Sequence, residues 1–330
     1  MKARSGIILS GAMAFCLALG AGFAHAALPD QQHGLQLSGA EKQAYISEEV
    51  RKFLAPLPGE TLPVTFHVPA GWKLETFSVN GVHTERLQTD AHNSSRVILQ
   101  LHGGGYVDGL SDVYRAIGVR QASITKAKEI YFVDYRLAPQ YVYPAALDDA
   151  TTVYKELLDR GIPAKNIILS GDSAGGNLAL ALALRLKETG IPQPGCIVVA
   201  SPWADFEHRE DTTRTTNAAK DQVLGNGTPL NGAVQHPAYA GKLSLNDPRL
   251  SLIHADFSGL PPLLIQTGGH EIFLAENNKL AEKAANDGVE VTHTVYAGMP
   301  HDFALLLPQM EETLDFLAEQ RDFICRYMES

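Results

Sequence analysis

Residues 168–180 read ILSGDSAGGNLAL, and this stretch decides the fold class of the chain. An apolar run ends in a cluster of small residues around Ser173, and a Leu- and Ala-rich run follows at once. Glycine is unfavourable inside either a strand or a helix, so Gly171, Gly175 and Gly176 indicate a tight turn. The pattern predicts a strand that passes through a sharp turn into a helix and presents the Ser173 hydroxyl there.

The rest of the chain alternates short apolar runs with longer helical patterns. The short runs read as buried strands, at 96–101, 129–133, 166–170, 196–201, 262–267 and 291–296. Helical patterns cover 112–128, 144–160, 173–188, 275–287 and 309–327. This alternation predicts an α/β fold with a doubly wound, mostly parallel sheet. Two earlier runs, TFHV and ETFSV, are candidates for strands at one edge, in antiparallel pairing.

The N-terminus has the three parts of a secretory signal peptide. Lys2 and Arg4 precede an apolar stretch, and Ala24 and Ala26 supply the small residues of a cleavage site. We expect residues 1–26 to be removed and the mature protein to be exported, either to the periplasm or to the medium. After cleavage, no stable association with the membrane is expected.

Two segments interrupt the alternation and are expected to form a small helical cap over the sheet. Residues 41–54 place apolar side chains on one helical stripe, and residues 203–245 are rich in Thr, Asn and Gly. A long insertion of that kind in a compact domain usually has a function, such as a lid. We therefore assign 27–60 and 203–245 to the cap, and 61–202 with 246–330 to the main α/β domain.

Composition and charge exclude several classes of function. The formal net charge is −10 and no basic run is present, which argues against nucleic acid or an anionic membrane as a partner. No Gly-Lys-Ser/Thr follows a glycine cluster, and no histidines are paired at metal-ligand spacing. We expect neither a cofactor nor a metal. Cys196 and Cys325 remain after signal cleavage, and the sequence leaves their pairing open.

A second glycine cluster follows the first of the buried runs. Residues 102–106 read HGGGY. Three consecutive glycines let the backbone bring its N–H groups against a ligand oxygen, as stabilisation of a tetrahedral oxyanion requires. Open α/β sheets hold ligands at the carboxyl ends of their strands, and both glycine clusters follow such ends.

Together with DYRLAP (134–139), YPAALDD (143–149), SPWADF (201–206) and GMPHDF (298–303), these motifs resemble those of bacterial hormone-sensitive-lipase-like (family IV) carboxylesterases. The resemblance covers roughly residues 60–320. It implies an α/β-hydrolase fold whose main domain is catalytic, a Ser–acid–His triad, and hydrolysis of short- to medium-chain acyl esters through an acyl-enzyme. It also implies that the backbone N–H groups of Gly104, Gly105 and Ala174 form the oxyanion hole.

The resemblance identifies candidates for the other two members of the triad. His301 follows the last predicted strand and corresponds to the histidine of the family, so it is expected to be the base. Glu271 corresponds to the acid of the family, and the order Ser173, Glu271, His301 is that of the superfamily. Asp205 follows the preceding strand and is an alternative acid. Asp302 replaces a glycine that is common in the family, which could alter the loop or the pH profile.

Several assignments remain open at this point. Tyr106 and Trp203 lie near strand ends and are candidates to line the substrate pocket. The expected partner is a small-molecule ester, and the expected assembly is a monomer or a homodimer. A lactone hydrolase with the same triad is one alternative, and a non-catalytic small-molecule receptor on the same scaffold is another. The joint presence of Ser173, His301 and HGGG favours an enzyme, because a receptor would tolerate their loss.

Overall fold

One sheet forms the centre of the structure. The computed structural model describes residues 34–55, 64–207 and 212–328, so the predicted signal peptide lies outside the described residues. The strands are β1 (Trp72–Val79), β2 (Val82–Thr89), β3 (Val97–Leu101), β4 (Glu129–Asp134), β5 (Ile167–Asp172), β6 (Cys196–Ala200), β7 (Leu263–Gly268) and β8 (Val291–Tyr296). The six apolar runs of the sequence correspond to β3 through β8.

The strand order is β1-β2-β4-β3-β5-β6-β7-β8. Strands β3 through β8 pair in parallel, whereas β2 is antiparallel to both β1 and β4. The predicted doubly wound, mostly parallel sheet is therefore confirmed, and its antiparallel part lies at one edge as expected. In such a sheet the carboxyl ends of β3, β5, β6, β7 and β8 lie along the same edge, where ligands bind.

The antiparallel edge differs in detail from the expectation. The run ETFSV lies in β1, whereas TFHV forms no strand. The sequence has no apolar run where β2 lies, so the search for such runs does not predict this strand. Strand β2 is mostly buried but consists largely of polar and charged residues, so it has no apolar run. The connecting residues Asn80 and Gly81 both have positive φ, 49° and 93°, as a type I′ hairpin turn requires. An Asn-Gly pair between two alternating segments is the signal that identifies this hairpin.

Helices cover both faces of the sheet. They are α1 (Gly39–Leu54), α2 (Asp112–Thr125), α3 (Ala145–Asp159), α4 (Ser173–Thr189), α5 (Thr213–Thr216), α6 (Asn231–Gln235), α7 (Leu274–Asn286), α8 (Phe303–Leu306) and α9 (Glu311–Tyr327). Helices α2 and α9 pack on one face, whereas α3, α4 and α7 pack on the other. Short 3₁₀ turns lie at Ala164–Asn166, Ala238–Ala240 and Leu252–His254. Within the described ranges, every helix is too short or too polar to span a lipid bilayer.

The central strands are buried on both faces, which is why they read as continuous apolar runs. Ile98 packs with the side chains of α2 and α9, whereas Leu99 packs on the opposite face against the core of α3, α4 and α7. Cys196, the first residue of β6, is buried, and Cys325 on α9 is exposed. Both thiols are free, so the two cysteines do not pair in this structure.

Helix α2 lies close to the sheet at Gly118, and a substitution there tests the fold. A Cβ on Gly118 would lie 2.7 Å from Cζ of Phe132, a fully buried ring on β4. We expect Gly118→Ala to lower the free energy of unfolding by about 1 kcal/mol, because overpacking outweighs the better helix propensity of alanine. Gly232→Ala on α6 is the matched control, because its Cβ would meet no atom within 4 Å. Urea unfolding of both variants measures the difference, and equal stabilities would contradict this packing.

Candidate active site

Ser173 lies at the turn between β5 and α4, with its backbone in the left-handed region at φ 50°. Two glycines permit this turn. A Cβ on Gly171 would lie 2.3 Å from the carbonyl oxygen of Gly175, and a Cβ on Gly175 would lie 2.1 Å from the carbonyl oxygen of Leu101. No side chain can approach backbone that closely, so the two positions require glycine. The turn fixes Ser173 at the carboxyl end of β5, beside β3.

His301 and Glu271 are in direct contact. Nδ1 of His301 lies 2.9 Å from Oε2 of Glu271, and both side chains are buried. The loop after β7 carries Glu271, whose Oε1 accepts a hydrogen bond from the Gly268 N–H at 3.0 Å. Burial raises the pKa of Glu271 to about 7, and the contact with His301 opposes that rise. The carboxylate thus holds the imidazole by one nitrogen, as the acid of a triad does.

Asp205, the alternative acid, has a different role. Its Oδ1 accepts a hydrogen bond from the Glu207 N–H at 2.9 Å and one from the Ser251 hydroxyl at 3.2 Å. The side chain is buried in the loop after β6 and has no contact with His301 among the described residues. It stabilises that loop, and Glu271 is the carboxylate that reaches Nδ1 of the histidine.

The second nitrogen of His301 faces a carboxylate as well. Nε2 lies 3.0 Å from Oδ2 of Asp302, and in the described part of the chain it makes no hydrogen bond with Ser173. Although burial alone lowers the pKa of His301, the carboxylates of Asp302 and Glu271 raise it well above its ordinary value. The sequence marks Asp302 as a replacement for a glycine, but its contact with Nε2 depends on the local backbone and is seen only in the structure.

The HGGGY loop lies beside the serine. Gly104 and Gly105 have positive φ, 98° and 62°, and line the same cavity as Ser173. Within the described ranges, their N–H groups make no hydrogen bond to the backbone. Ala174 is buried in the first turn of α4, where N–H groups have no intrahelical acceptor. All three candidate donors therefore have N–H groups without a regular backbone partner, as an oxyanion hole requires.

A tyrosine that the sequence gives no reason to select supports this loop. The Gly103 N–H donates to the Tyr114 hydroxyl at 2.9 Å, and that hydroxyl donates to Oδ2 of Asp172 at 2.9 Å. Burial, together with the nearby charge of Asp302, raises the pKa of Asp172 well above its ordinary value. Asp172 thus makes a structural hydrogen bond, and Tyr114 connects it to the glycine loop.

Tyr106 lies in the core, so the expectation that it lines the pocket is wrong. It is fully buried, its ring stacks on Tyr239 at 3.7 Å, and its hydroxyl donates to Oδ1 of Asn177 at 2.7 Å. These contacts hold its ring away from the cavity, whose described lining does not include it. Asn177 in turn donates to the carbonyl oxygens of Trp203 and Leu250, at 2.8 and 2.9 Å. It joins three loops at the site, a role that the sequence motif alone does not reveal.

A cavity of about 410 Å³ opens above Ser173. Trp203 lines it, as does His301, and two acidic residues, Asp108 and Asp302, lie at its wall. Both segments assigned to the cap contribute apolar side chains, namely Phe53, Leu54, Val223, Leu224, Pro229, Leu230, Ala233 and Val234. The described residues contain no group of three or more His, Cys, Asp or Glu side chains that could hold a metal ion.

A family model described as the alpha/beta hydrolase fold matches residues 98–305. The chain belongs to the α/β-hydrolase family. It is 33% identical to the putative acetyl-hydrolase LipR of Mycobacterium tuberculosis over 78% of this chain and 82% of that protein. It is 35% identical to an esterase of Acinetobacter venetianus over 74% of this chain and 78% of that protein.

Solved structures narrow the family assignment. The crystal structure of an esterase from the bacterial hormone-sensitive lipase family matches with a TM-score of 0.78 and 30% identity, over 89% of this chain and 100% of that one. This α/β-hydrolase is therefore a member of the hormone-sensitive-lipase-like group and a carboxylic ester hydrolase.

The two candidate acids can be separated by matched substitutions. We expect Glu271→Gln to lower kcat by about 10⁴-fold, because the amide cannot stabilise an imidazolium. Asp205→Asn should lower kcat by less than about tenfold while reducing the melting temperature, because it weakens only loop contacts. Ester hydrolysis and thermal unfolding of both variants measure this, and a larger kcat loss in Asp205→Asn would reverse the assignment.

Proposed function

We propose that this enzyme is a serine carboxylesterase that hydrolyses short- to medium-chain acyl esters through an acyl-enzyme. The observation that carries the proposal is the convergence of three elements on one cavity. Ser173 stands on a turn that requires glycine, His301 is held by Glu271 at 2.9 Å, and the HGGGY loop lies beside the serine. A serine, an oriented imidazole and unpaired backbone donors are the parts that acyl transfer needs.

In the first half of the reaction, His301 takes the proton from Ser173 Oγ as this oxygen attacks the ester carbonyl carbon. The π electrons of the carbonyl move onto its oxygen, which becomes the oxyanion. The N–H groups of Gly104, Gly105 and Ala174 stabilise this oxyanion. The intermediate then collapses, the bond to the alkoxy oxygen breaks, and His301 protonates the leaving alcohol. Glu271 stabilises the imidazolium that exists between these two proton transfers.

The second half repeats the sequence with water. His301 removes a proton from a water molecule, the hydroxide oxygen attacks the acyl carbon, and a second oxyanion forms in the same position. When this intermediate collapses, the bond to Ser173 Oγ breaks and His301 returns the proton to the serine. The products are one carboxylic acid and one alcohol, and the enzyme is regenerated.

The cavity supports the substrate class. Ligand pockets commonly enclose roughly 300–1,000 Å³, and the cavity above Ser173, at about 410 Å³, is at the small end of this range. Its apolar lining from α1 and the segment 203–245 suits an acyl chain, and its small volume suits a short chain better than a long one. We therefore propose that activity is greatest on short esters and decreases toward long acyl chains.

Hydrolysis of p-nitrophenyl esters from acetate to laurate tests this proposal. We expect Ser173→Ala to lower kcat on the order of 10⁴- to 10⁶-fold, because the nucleophile is lost. Ser258→Ala, at an exposed serine remote from the cavity, is the matched control and should retain full activity. Wild-type activity should be highest on the shorter esters.

Other outcomes would contradict the proposal in different ways. Activity that survives in Ser173→Ala would mean that another residue is the nucleophile. A folded wild-type protein that hydrolyses lactones but no p-nitrophenyl ester would favour the lactonase alternative. Binding of small molecules without turnover of either class would contradict the enzymatic reading.

A further inference from the structure

Asp302 contacts the atom of His301 that the proposed reaction uses. In the proposed mechanism, Nε2 of His301 must accept the proton of Ser173. In the structure, Oδ2 of Asp302 lies 3.0 Å from this nitrogen, while Oε2 of Glu271 lies 2.9 Å from Nδ1. The imidazole is thus held between two carboxylates, one on each ring nitrogen. A triad needs only the carboxylate on Nδ1, so the second contact requires its own explanation.

The backbone conformation at Asp302 also indicates that this carboxylate has a specific role. Asp302 has φ 49°, in the left-handed region that glycine adopts without strain, and its N–H lies 3.4 Å from the Ser201 hydroxyl. A glycine would form this turn without strain and would leave Nε2 uncovered. The chain instead carries a carboxylate here, with only 11% of its side chain exposed, and its Oδ1 has no hydrogen-bond partner among the described residues.

The neighbouring charges are predominantly negative. The acidic groups that face His301 and Asp302 from the surrounding elements are Glu271 after β7 and Asp172 at the end of β5, and the neutral hydroxyl of Tyr114 on α2 lies beside them. Asp221 in the segment 203–245 acts on Glu271 behind them. Arg214 stacks on Phe273, which contacts the His301 ring, but this arginine is paired with Glu276 at 2.9 Å. The carboxylates of Asp302 and Glu271 therefore stabilise a positive charge on the imidazole, because a nearby group of opposite charge favours the protonated form.

We propose that Asp302 is a further catalytic residue of this esterase, one that occupies Nε2 of the protonated histidine in the free enzyme and must release it before Ser173 can react. The proposal rests on the function proposed above. At low pH the Nε2–H donates to Asp302 and the Nδ1–H donates to Glu271. When the proton on Nε2 is lost to solvent, the Asp302 carboxylate faces a lone pair, the contact becomes repulsive, and Nε2 is free to accept the Ser173 proton.

This arrangement sets the pH at which the enzyme becomes active. The carboxylate raises the pKa of His301, so the neutral imidazole exists only at higher pH than in an isolated histidine. The acidic limb of kcat/KM against pH reports this ionisation in the free enzyme. The limb should therefore lie above pH 6.5, the ordinary pKa of histidine.

Two substitutions of Asp302 test the proposal. Asp302→Gly introduces a residue that adopts this left-handed backbone conformation without strain. Asp302→Asn keeps the shape of the side chain while removing its charge. We expect both to shift the acidic limb of kcat/KM down by about one pH unit or more, which raises kcat/KM about tenfold at pH values below the limb. Well above the limb, the variants and the wild type should differ little. Asp108→Asn, which removes a charge from the same cavity without contacting His301, should shift the limb much less.

A titration of His301 by ¹⁵N NMR separates this inference from the proposed function. The imidazole nitrogens should titrate at lower pH in Asp302→Asn than in wild type, whether or not esters are hydrolysed. Unchanged NMR titration and an unchanged limb in both folded variants would overturn the role of Asp302 and leave the esterase proposal intact. An equal loss of activity at every pH would also overturn it, because that result indicates only a structural role. A changed NMR titration without ester hydrolysis would contradict the proposed function instead.

Discussion

The close approach of the first turn of α4 to the ends of β3 and β5 is the constraint on which the rest of the site depends. A Cβ on Gly175 would lie 2.1 Å from the Leu101 carbonyl oxygen, so no side chain can separate the helix from the strand. This approach forces Ser173 into a left-handed conformation. It also puts the helix N-terminus next to the HGGGY loop, which leaves β3 at the same level. The proposed nucleophile and the candidate oxyanion donors therefore share one geometric cause.

The surrounding loops make backbone hydrogen bonds, and side chains from helices and from the segment 203–245 add further hydrogen bonds to them. Asn177 on α4 binds the loop after β6 through the Trp203 carbonyl. Asp221, from the segment 203–245, accepts the Ile272 N–H at 2.9 Å, and Asn217 donates to the Glu271 carbonyl at 3.0 Å. The segment that lines the cavity is thus hydrogen-bonded directly to the loop that carries Glu271, the proposed catalytic acid. A displacement of one would be transmitted to the other, because buried polar groups are costly to leave unpaired.

The sequence predicts the parts of this structure that depend on local pattern. Strands buried on both faces are continuous apolar runs, and the glycines around Ser173 are required by short-range packing, so both can be recognised. Strand β2 escapes the apolar criterion because it is partly polar, although the Asn80-Gly81 turn marks it. The sequence does not predict the burial of Tyr106 or the hydrogen bonds by which Tyr114 supports the HGGGY loop. They depend on partners distant in sequence, such as Asn177 and Asp172, whose positions only the folded sheet determines.

The charges around His301 show how the requirements of stability and of catalysis oppose one another. The pKa of His301 is raised in the folded protein, so its contribution to stability is present below its ordinary pKa and is lost as the pH rises through the raised value. Burial raises the pKa values of Glu271 and Asp172 as well, and ionising a buried acid with a raised pKa also costs stability as the pH increases. The contribution of each of the three groups to the free energy of unfolding therefore decreases as the pH rises. The pH range in which the imidazole can act as a base is the range in which the site is electrostatically least stable, and the close backbone packing around Ser173 must hold the site together there.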